Sequence, residues 1–501
     1  MHAWQKAPER PAHWAGLVEL LAQQNPQAGA AASLAALRQG AGITVTGQQV
    51  GLFGGELYSP LKAATAVARA HEATAQGEAH VPVFWMATED HDFAEINHAF
   101  FPARREMVRL SYEQAPQHPV PVGGLVLDEA ILPLIERLWE LLGPSEATEA
   151  LERHYKPGHT LAEAFSGFYR EAFAGQGLLV LDPAGRAAHR MGAGVLAAGI
   201  ERADELHAAL VERNHELERA GYHAQVAVGA QSSLLFLIDE KSGARLALKR
   251  LEPSAREPEG LWVTLGAEGR RNYSTADLLA ILASEPERIS PSALLRPLFQ
   301  DQLLGTSLVI GGPAEIAYYA QSAVLYERIL GRVTASAPRF SATIIGREQG
   351  ALLKKYGLSL SDLIGQNEDT LQQRLAHEAI APEQRAQLTG ASESLEAALA
   401  PLVGWLKDQE AGLGASAETS ARKMRYQMHR LERLAARLVL QREERIGRDA
   451  STLLRELFPG TLAERRLAGA CFFARHGFAL AGEMVRQAEA CRAGHAELWM
   501  E

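Results

Sequence analysis

Cysteine is almost missing: the 501-residue chain has two, Cys471 and Cys491. Two thiols cannot build a disulfide framework, so a bridge-stapled secreted fold is excluded and a reducing, cytoplasmic setting is expected. No stretch approaches the ~18 consecutive apolar residues of a membrane span. Met1 to Trp14 lacks the apolar segment of a signal peptide, so none is expected. An excess of cations is missing too. Asp plus Glu number 60 against 50 Lys plus Arg, a net charge of −10. Phosphate binding draws on clustered cations, so neither nucleic acid nor an anionic membrane surface is expected as a partner. There is no HExxH and no second His/Cys pair at ligand spacing, so no metal is expected.

What is present suits a folded chain. Hydrophobic residues make up 47% and charged residues 22%, enough for a sizeable core and too apolar for wholesale disorder. The length suggests about three domains, or one large domain with inserts.

The first half alternates strand-like and helix-like segments. Ile43-Thr44-Val45-Thr46 is a β-branched run after Gly40-Ala41-Gly42. Ser59-Pro60 then opens an Ala-rich helix, with Ser59 as N-cap. Val81 to Ala87 is continuously apolar, as a strand buried on both faces must be. Leu178–Leu181 and Leu308–Ile310 are shorter runs of the same kind. The β-α-β order predicts an α/β core with a parallel sheet. Segments at about 100–150 and 222–290 read as antiparallel inserts in a core spanning 1–385. The last third changes period. Leu395, Leu399, Leu402, Leu406 and Leu413, then Met424, Met428, Leu431, Ala435 and Leu438, follow heptad spacing on two segments split by Gly412-Leu413-Gly414. An antiparallel helical hairpin over 386–457 is expected, its second helix running to Leu457. Leu395, Leu402, Leu406, Met428 and Leu431 should lie in its seam. Residues 458–501 should pack back on the core. The basic run Arg422–Arg448 is interleaved with Glu and reads as a solvated helix face. Cys471, beside Phe472 and Phe473, reads as a buried inert thiol, and Cys491 likewise.

Three polar clusters directly follow predicted core strands: Thr46–Gly55 (TGQQVGLFGG), Thr88–His98 (TEDHDFAEINH), and Gly311–Glu315 (GGPAE) with Tyr318-Tyr319 a turn later. In an open parallel sheet the ligand site lies beyond the carboxyl ends of the strands, so the three clusters can share one cleft. The glycines allow close backbone approach, and a following helix N-terminus favours an anion. The first cluster is neither a Walker A loop nor a strict GxGxxG; it is either a phosphate-contacting turn or a plain strand-to-helix turn. The second cluster suits acid–base work, polar substrate contact, a metal or a hydrogen-bonded turn. A helix starting near Asp92 would put Glu95 and His98 on one face.

Longer motifs carry a resemblance. TGQQVGLFGGELY (Thr46–Tyr58) with Lys62, FWMATEDHDFAEINH (Phe84–His98), LLRPLFQDQLL (Leu294–Leu304) and IGGPAEIAYYAQ (Ile310–Gln321) are similar to signatures of the bacillithiol-biosynthesis cysteine-adding enzymes. So are Gly221–Val226, Pro338–Thr343 and Phe458-Pro459-Gly460. The likeness covers essentially the whole chain. It implies a Rossmann-like core related to class I aminoacyl-tRNA synthetases, two connecting inserts, and a helical coiled coil that supports a homodimer. It implies the last step of bacillithiol synthesis, the joining of cysteine to the amine of glucosaminyl-malate. Two departures stand out. Ala463 occupies a position where the family more often has Gln, and neither HxGH nor KMSKS is present.

Joining a carboxylate to an amine requires activation. ATP or another nucleotide is the expected activator, through an acyl-adenylate or acyl-phosphate, held by Thr46, Gly47, Gln48, Gln49, Gly51, Lys62, Gly311 and Gly312. His91, with Asp90 and Glu89 as alternates, would accept the amine's proton; Asp90 and Asp92 should favour protonated His91. The Gly311 and Gly312 N–H groups would also steady an oxyanion. Asp92, Asn97, His98, Arg296, Gln300, Asp301, Glu315, Tyr318, Tyr319 and Arg339 are the expected substrate contacts, the arginines for carboxylates. Two other classes fit parts of the pattern: a metal-dependent amino-sugar hydrolase or deacetylase using His91, Glu95 and His98, and a non-catalytic nucleotide-binding assembly protein.

Overall fold

The computed structural model describes residues 8–251, 260–267 and 269–500. Residues 1–7 of the expected leader-free start, and 252–259 and 268 of the second expected insert, lie outside that description. The chain divides into two units. One comprises Met1–Phe101, Val108–Ala342 and Leu467–Ala496; the other comprises Pro102–Met107, Thr343–Arg466 and Glu497–Glu501.

The first unit carries strands β1 (Gly42–Gln48), β2 (His80–Met86), β3 (His98–Pro102), β4 (Met107–Ser111), β5 (Leu179–Leu181), β6 (Ser232–Ile238), β7 (Arg245–Leu251), β8 (Leu261–Gly266), β9 (Gly269–Tyr273), β10 (Ile289–Pro291), β11 (Thr306–Gly311) and β12 (Ala335–Pro338). The core sheet runs β12-β11-β1-β2-β5, and all its pairings are parallel. From β1 the chain builds outward through β2 and β5, then returns to β1's other edge with β11 and β12. That is a Rossmann-like order, with its reversal between β1 and β11.

Both faces of the sheet are covered, which is why its strands are apolar or Thr-rich on each side. Ile43, Val45, Val83, Trp85 and Val309 join one core cluster with residues of helices Trp14–Gln24, Arg186–Glu201 and Arg296–Leu304. Leu308 and Ile310 pack instead on Ala66 of helix Tyr58–Ala75. The alanines of that helix keep it close to the sheet. Its cap is Leu57, so Ser59 sits buried inside the first turn rather than capping it. The second insert forms an antiparallel sheet, β10-β6-β7-β8-β9. The first holds the β3–β4 pair followed by the helices Leu132–Leu142 and Glu146–His154. Helices Gly469–His476 and Ala479–Ala490 return to this unit, the latter against Tyr58–Ala75. Cys471 is buried there and Cys491 half-buried.

The second unit is mainly helical. Helices Pro382–Gln409 and Ala411–Arg442 form the hairpin, which turns at Glu410. The second helix ends at Arg442, and a separate helix, Glu444–Leu457, follows, correcting the single helix expected to Leu457. The seam also differs. Leu399, Gly414, Ala421 and Ala436 are buried and Leu395, Leu406 and Met428 half-buried, whereas Leu402 and Leu431 are 58% and 54% exposed. Small residues explain the shift. A Cβ on Gly414 would lie 2.7 Å from the Lys407 Cα, so the helices meet closely on glycine and alanine, and two of the expected leucines rotate outward. Arg425 bridges the pair with a bidentate contact to Glu396, at 2.8 and 2.9 Å.

Trp85 is a direct test of the core. It is 2% exposed and meets Phe299 edge-on at 6.0 Å. Trp85→Ala is expected to lower unfolding free energy by about 3–5 kcal/mol, measured by urea denaturation; a change below ~1 kcal/mol would show that this interface is not packed as described.

Candidate active site

Strand register decides where the clusters meet. Gln48 pairs with Met86, Trp85 with Leu181, Thr46 with Ile310 and Gly311 with Pro338. The segments beginning at Gln49, Ala87, Asp182, Gly312 and Arg339 therefore leave the sheet along one rim, its carboxyl edge. Asp182 is a strand-end residue that the sequence reading passed over, although it directly follows the Leu178–Leu181 run.

Lys62 is the hub on the β1–β11 side. It is 2% exposed, and its ammonium donates to Gly47 O at 2.5 Å and Gln48 Oε1 at 2.8 Å. Glu315 Oε2 lies 2.5 Å away and also accepts the Gly312 N–H at 2.7 Å. Burial pulls the Lys62 pKa down; Glu315 opposes this, while Arg296 and Arg339 reinforce it. Gln48 donates to the Tyr58 hydroxyl at 3.3 Å, and the Arg339 guanidinium lies 5.7 Å from the Tyr58 ring. Arg296 donates to Tyr318 Oη at 3.1 Å, and Tyr318 meets Tyr319 edge-on at 4.9 Å.

The β2 side is carboxylate-rich. Gln49 Nε2 donates to Asp90 Oδ2 and to Glu95 Oε2, both at 2.8 Å. Burial would raise the Asp90 pKa, but the Gln49 hydrogen bond and the Arg296 and Arg245 charges hold it below the usual value. Arg296 thus bears on both Lys62 and Asp90, so the two sides lie within electrostatic reach of one guanidinium. His91 behaves opposite to expectation. Its pKa is lowered, first by burial and then by Arg245, against Asp90 and Asp92. Arg245 Nη1 lies 2.9 Å from His91 Nδ1; Asp90 Oδ1 is 3.8 Å from it. Arg245 belongs to β7 of the insert, and no periodicity or motif in the sequence points to it.

Glu89 turns inward. Its Oε1 lies 3.0 Å from Nε2 of the fully buried His189, off the ring N–H line, so the contact is an ion pair more than a hydrogen bond. His189 Nδ1 donates to Pro286 O at 3.0 Å. Beside it, Thr88 Oγ1 donates to Asp182 Oδ1 at 2.5 Å. His189 sits in the first turn of helix Arg186–Glu201 and gave no signal in the sequence.

Several expected contacts are spoken for elsewhere. Thr46 Oγ1 donates to Ile310 O at 3.0 Å inside the sheet. The Gly51–Gly55 turn is buried and pinned: the Gly51 N–H bonds Gln49 O, Gly54 N–H donates to Tyr155 Oη and Tyr169 Oη donates to Gly54 O. Between them Phe53 adopts a left-handed φ of 53°, a conformation worth ~1–3 kcal/mol of strain that its buried surroundings hold. This turn is not an open phosphate cradle. Asp301 lies at the opposite, amino rim: it accepts the N–H of Thr306, the first residue of β11, at 2.8 Å, and meets Thr334 and Arg332 at 2.6 and 2.7 Å. Gln300 is buried with Nε2 lacking a hydrogen-bond partner. Asn97 is tied to Tyr112 O, His98 packs edge-on to Phe100, and Asp92 caps Phe93–Ile96. That helix ends before His98, so Glu95 and His98 share no helix face. Among the described residues no three His, Cys, Asp or Glu side chains gather as metal ligands. A cavity of about 700 Å³ opens between helix Ala203–Arg219 and β6, lined by His207, Leu210, Ser233 and Phe236 among others.

Together the architecture is that of a Rossmann-like protein with a cluster of polar and charged side chains at its carboxyl rim, and a helical coiled-coil unit. Residues 2–340 match the family model "Bacillithiol biosynthesis BshC, N-terminal Rossmann-like domain". Residues 342–497 match "Bacillithiol biosynthesis BshC, C-terminal coiled-coil domain". The chain belongs to the BshC family of bacillithiol biosynthesis. Relatives named "Putative cysteine ligase BshC" include one from Koribacter versatilis, 40% identical over 464 residues, covering 92% of this chain and 85% of its own. One from Solibacter usitatus is 36% identical over 478 residues, covering 94% and 86%. One from Salinibacter ruber is 31% identical over 473 residues, covering 92% and 84%.

The His189 pKa is subject first to a downward pull from burial, but Glu89 and the acceptor contacts win and raise it. A raised folded value means that this pair's stability is fully present below the unfolded histidine value of about 6.5 and is lost as pH rises through the folded value. The melting temperature of wild type is therefore expected to exceed that of His189→Gln most near pH 6, the gap narrowing toward alkaline pH. A gap that widens with pH would contradict the ion pair.

Proposed function

We propose that this chain is a ligase that joins the carboxyl group of cysteine to the amine of glucosaminyl-malate, closing bacillithiol synthesis. The observation that carries the reading is the concentration of cations at the rim. The charges of Arg296 and Arg339 both bear on Lys62 at this rim, in a chain whose net charge is −10. A substrate bearing the two malate carboxylates, and a reaction needing an activated carboxyl group, both call for that charge. Bidentate arginine suits carboxylates.

ATP or another nucleotide is the activator in this reading; it supplies a leaving group on the carboxyl carbon. Lys62, Arg296 and Arg339 are the side chains suited to its phosphates, in place of a glycine-turn backbone nest. Glu315 neutralises Lys62 until an incoming anion competes for the ammonium. Asp90, held ionised, accepts a hydrogen bond from the glucosamine amine and orients it for attack. Tyr318 and Tyr319 flank Arg296 and give the sugar an aromatic wall. The apolar residues that the hairpin leaves exposed, Leu402, Trp405, Leu431 and Leu438, support a homodimer formed on the coiled coil.

The test incubates the purified protein with cysteine, glucosaminyl-malate and ATP and reads products by mass spectrometry. Bacillithiol with matching AMP or ADP is expected, and Lys62→Met should lower kcat/KM by about 10²-fold or more. Absence of product with every nucleotide offered would overturn the ligase reading. For assembly, the Leu402→Asp/Leu431→Asp double variant is expected to run as a folded monomer by light scattering; an unchanged dimer would place the interface elsewhere.

A further inference from the structure

His91 and Arg245 come from distant parts of the chain, the β2 rim and strand β7. The Arg245 guanidinium is held on every side. Its Nε donates to Ser290 Oγ and its Nη2 to Pro291 O, both at 2.8 Å. Its plane lies over the Phe236 ring, 3.7 Å from the centroid, and its own backbone N–H is fixed to Pro119 O at 2.7 Å. Arg245 is 7% exposed. The remaining Nη1 lies 2.9 Å from His91 Nδ1, and the His91 ring rests 5.6 Å from Phe236.

Arginine has only donors. A guanidinium at hydrogen-bond distance therefore requires a lone pair on Nδ1. Neutral His91 must then carry its proton on Nε2, and its one basic nitrogen is already in use. We propose that Arg245 is a positioning residue that locks His91 in the Nε2–H tautomer, making His91 a hydrogen-bond donor to a carbonyl or anionic oxygen in the cleft rather than the general base. The role as donor to a reacting oxygen rests on the ligase reading; the tautomer lock does not.

The surrounding charges act in both directions. Asp90 and Asp92 favour the imidazolium, while burial and Arg245 disfavour it and prevail. With Nδ1 facing a cation, protonation there would set two positive groups against each other. The one-third of the His91 side chain that remains exposed leaves the ring accessible from the cleft. A neutral imidazole donor of this kind polarises an oxygen without needing a proton transfer.

The experiment is nitrogen-15 NMR of histidine-labelled full-length protein, with His91→Asn assigning the signal. In wild type, His91 is expected as the Nε2–H tautomer, titrating below a free histidine. Arg245→Met should bring tautomer mixing and a rise of the His91 pKa relative to wild type, since burial alone then opposes Asp90 and Asp92. In the cysteine-adding assay the same variant should lose about 10- to 10²-fold in kcat with a smaller change in KM, and Arg245→Lys should restore part of it. A wild-type Nδ1–H tautomer, or a His91 titrating at or above the free value, overturns the proposal even if Arg245→Met fails to fold. A protein with the expected tautomer and no ligase activity would leave the lock standing and remove the ligase reading.

Discussion

An ammonium group withdrawn from water is tolerated only where acceptors replace the solvent it lost. Lys62 meets that demand with one acceptor from the β1 backbone, one from the Gln48 side chain and the Glu315 carboxylate. Glu315 is itself fixed by the Gly312 N–H at the start of helix Pro313–Leu330, where a helix favours negative charge. The contact spans the place where strand order reverses, between β1 and β11. It ties the end of one strand, the helix that follows it, and the turn leaving its neighbour. The position of the cleft depends on that tie, because it sets the separation of the two strand ends that border it.

The other border is built differently. Asp90 is arranged by Gln49 from the β1 turn, and His91 by Arg245 from the insert. Below them the Glu89–His189 pair and the Thr88–Asp182 hydrogen bond anchor the same segment to helix Arg186–Glu201 and to the end of β5. All four consecutive residues, Thr88, Glu89, Asp90 and His91, thus face buried or half-buried partners. A segment so constrained holds its side chains rigidly, and rigidity is what positioning of a reactant requires.

Much of this was legible in the sequence, and the reasons are physical. Strands buried on both faces must be apolar throughout, so Val81–Ala87 announced itself. Parallel connectivity then forced the segments after Gln48, Met86 and Gly311 to one rim. What stayed hidden depended on tertiary register. Arg245 and His189 come from an antiparallel strand and a helix's first turn, and nothing local marks them as facing the rim. Asp301 misled in the opposite way: its motif sits beside Arg296, but the helix carries it to the other end of β11. The hairpin seam shifted because alanine and glycine, which leave no hydrophobic period, set the helix separation. The glycine-rich turn was a turn for buried tyrosines, since small residues suit any close approach and do not declare what approaches.

The claim that everything else rests on is that substrate binds at the carboxyl rim between β1, β2 and β11. A crystal structure of the chain grown with glucosaminyl-malate tests it directly. The account predicts the malate carboxylates within hydrogen-bond distance of Arg296 or Arg339 and the sugar amine beside Asp90. Glucosaminyl-malate seated instead in the cavity between helix Ala203–Arg219 and β6, with the rim unchanged, would contradict it.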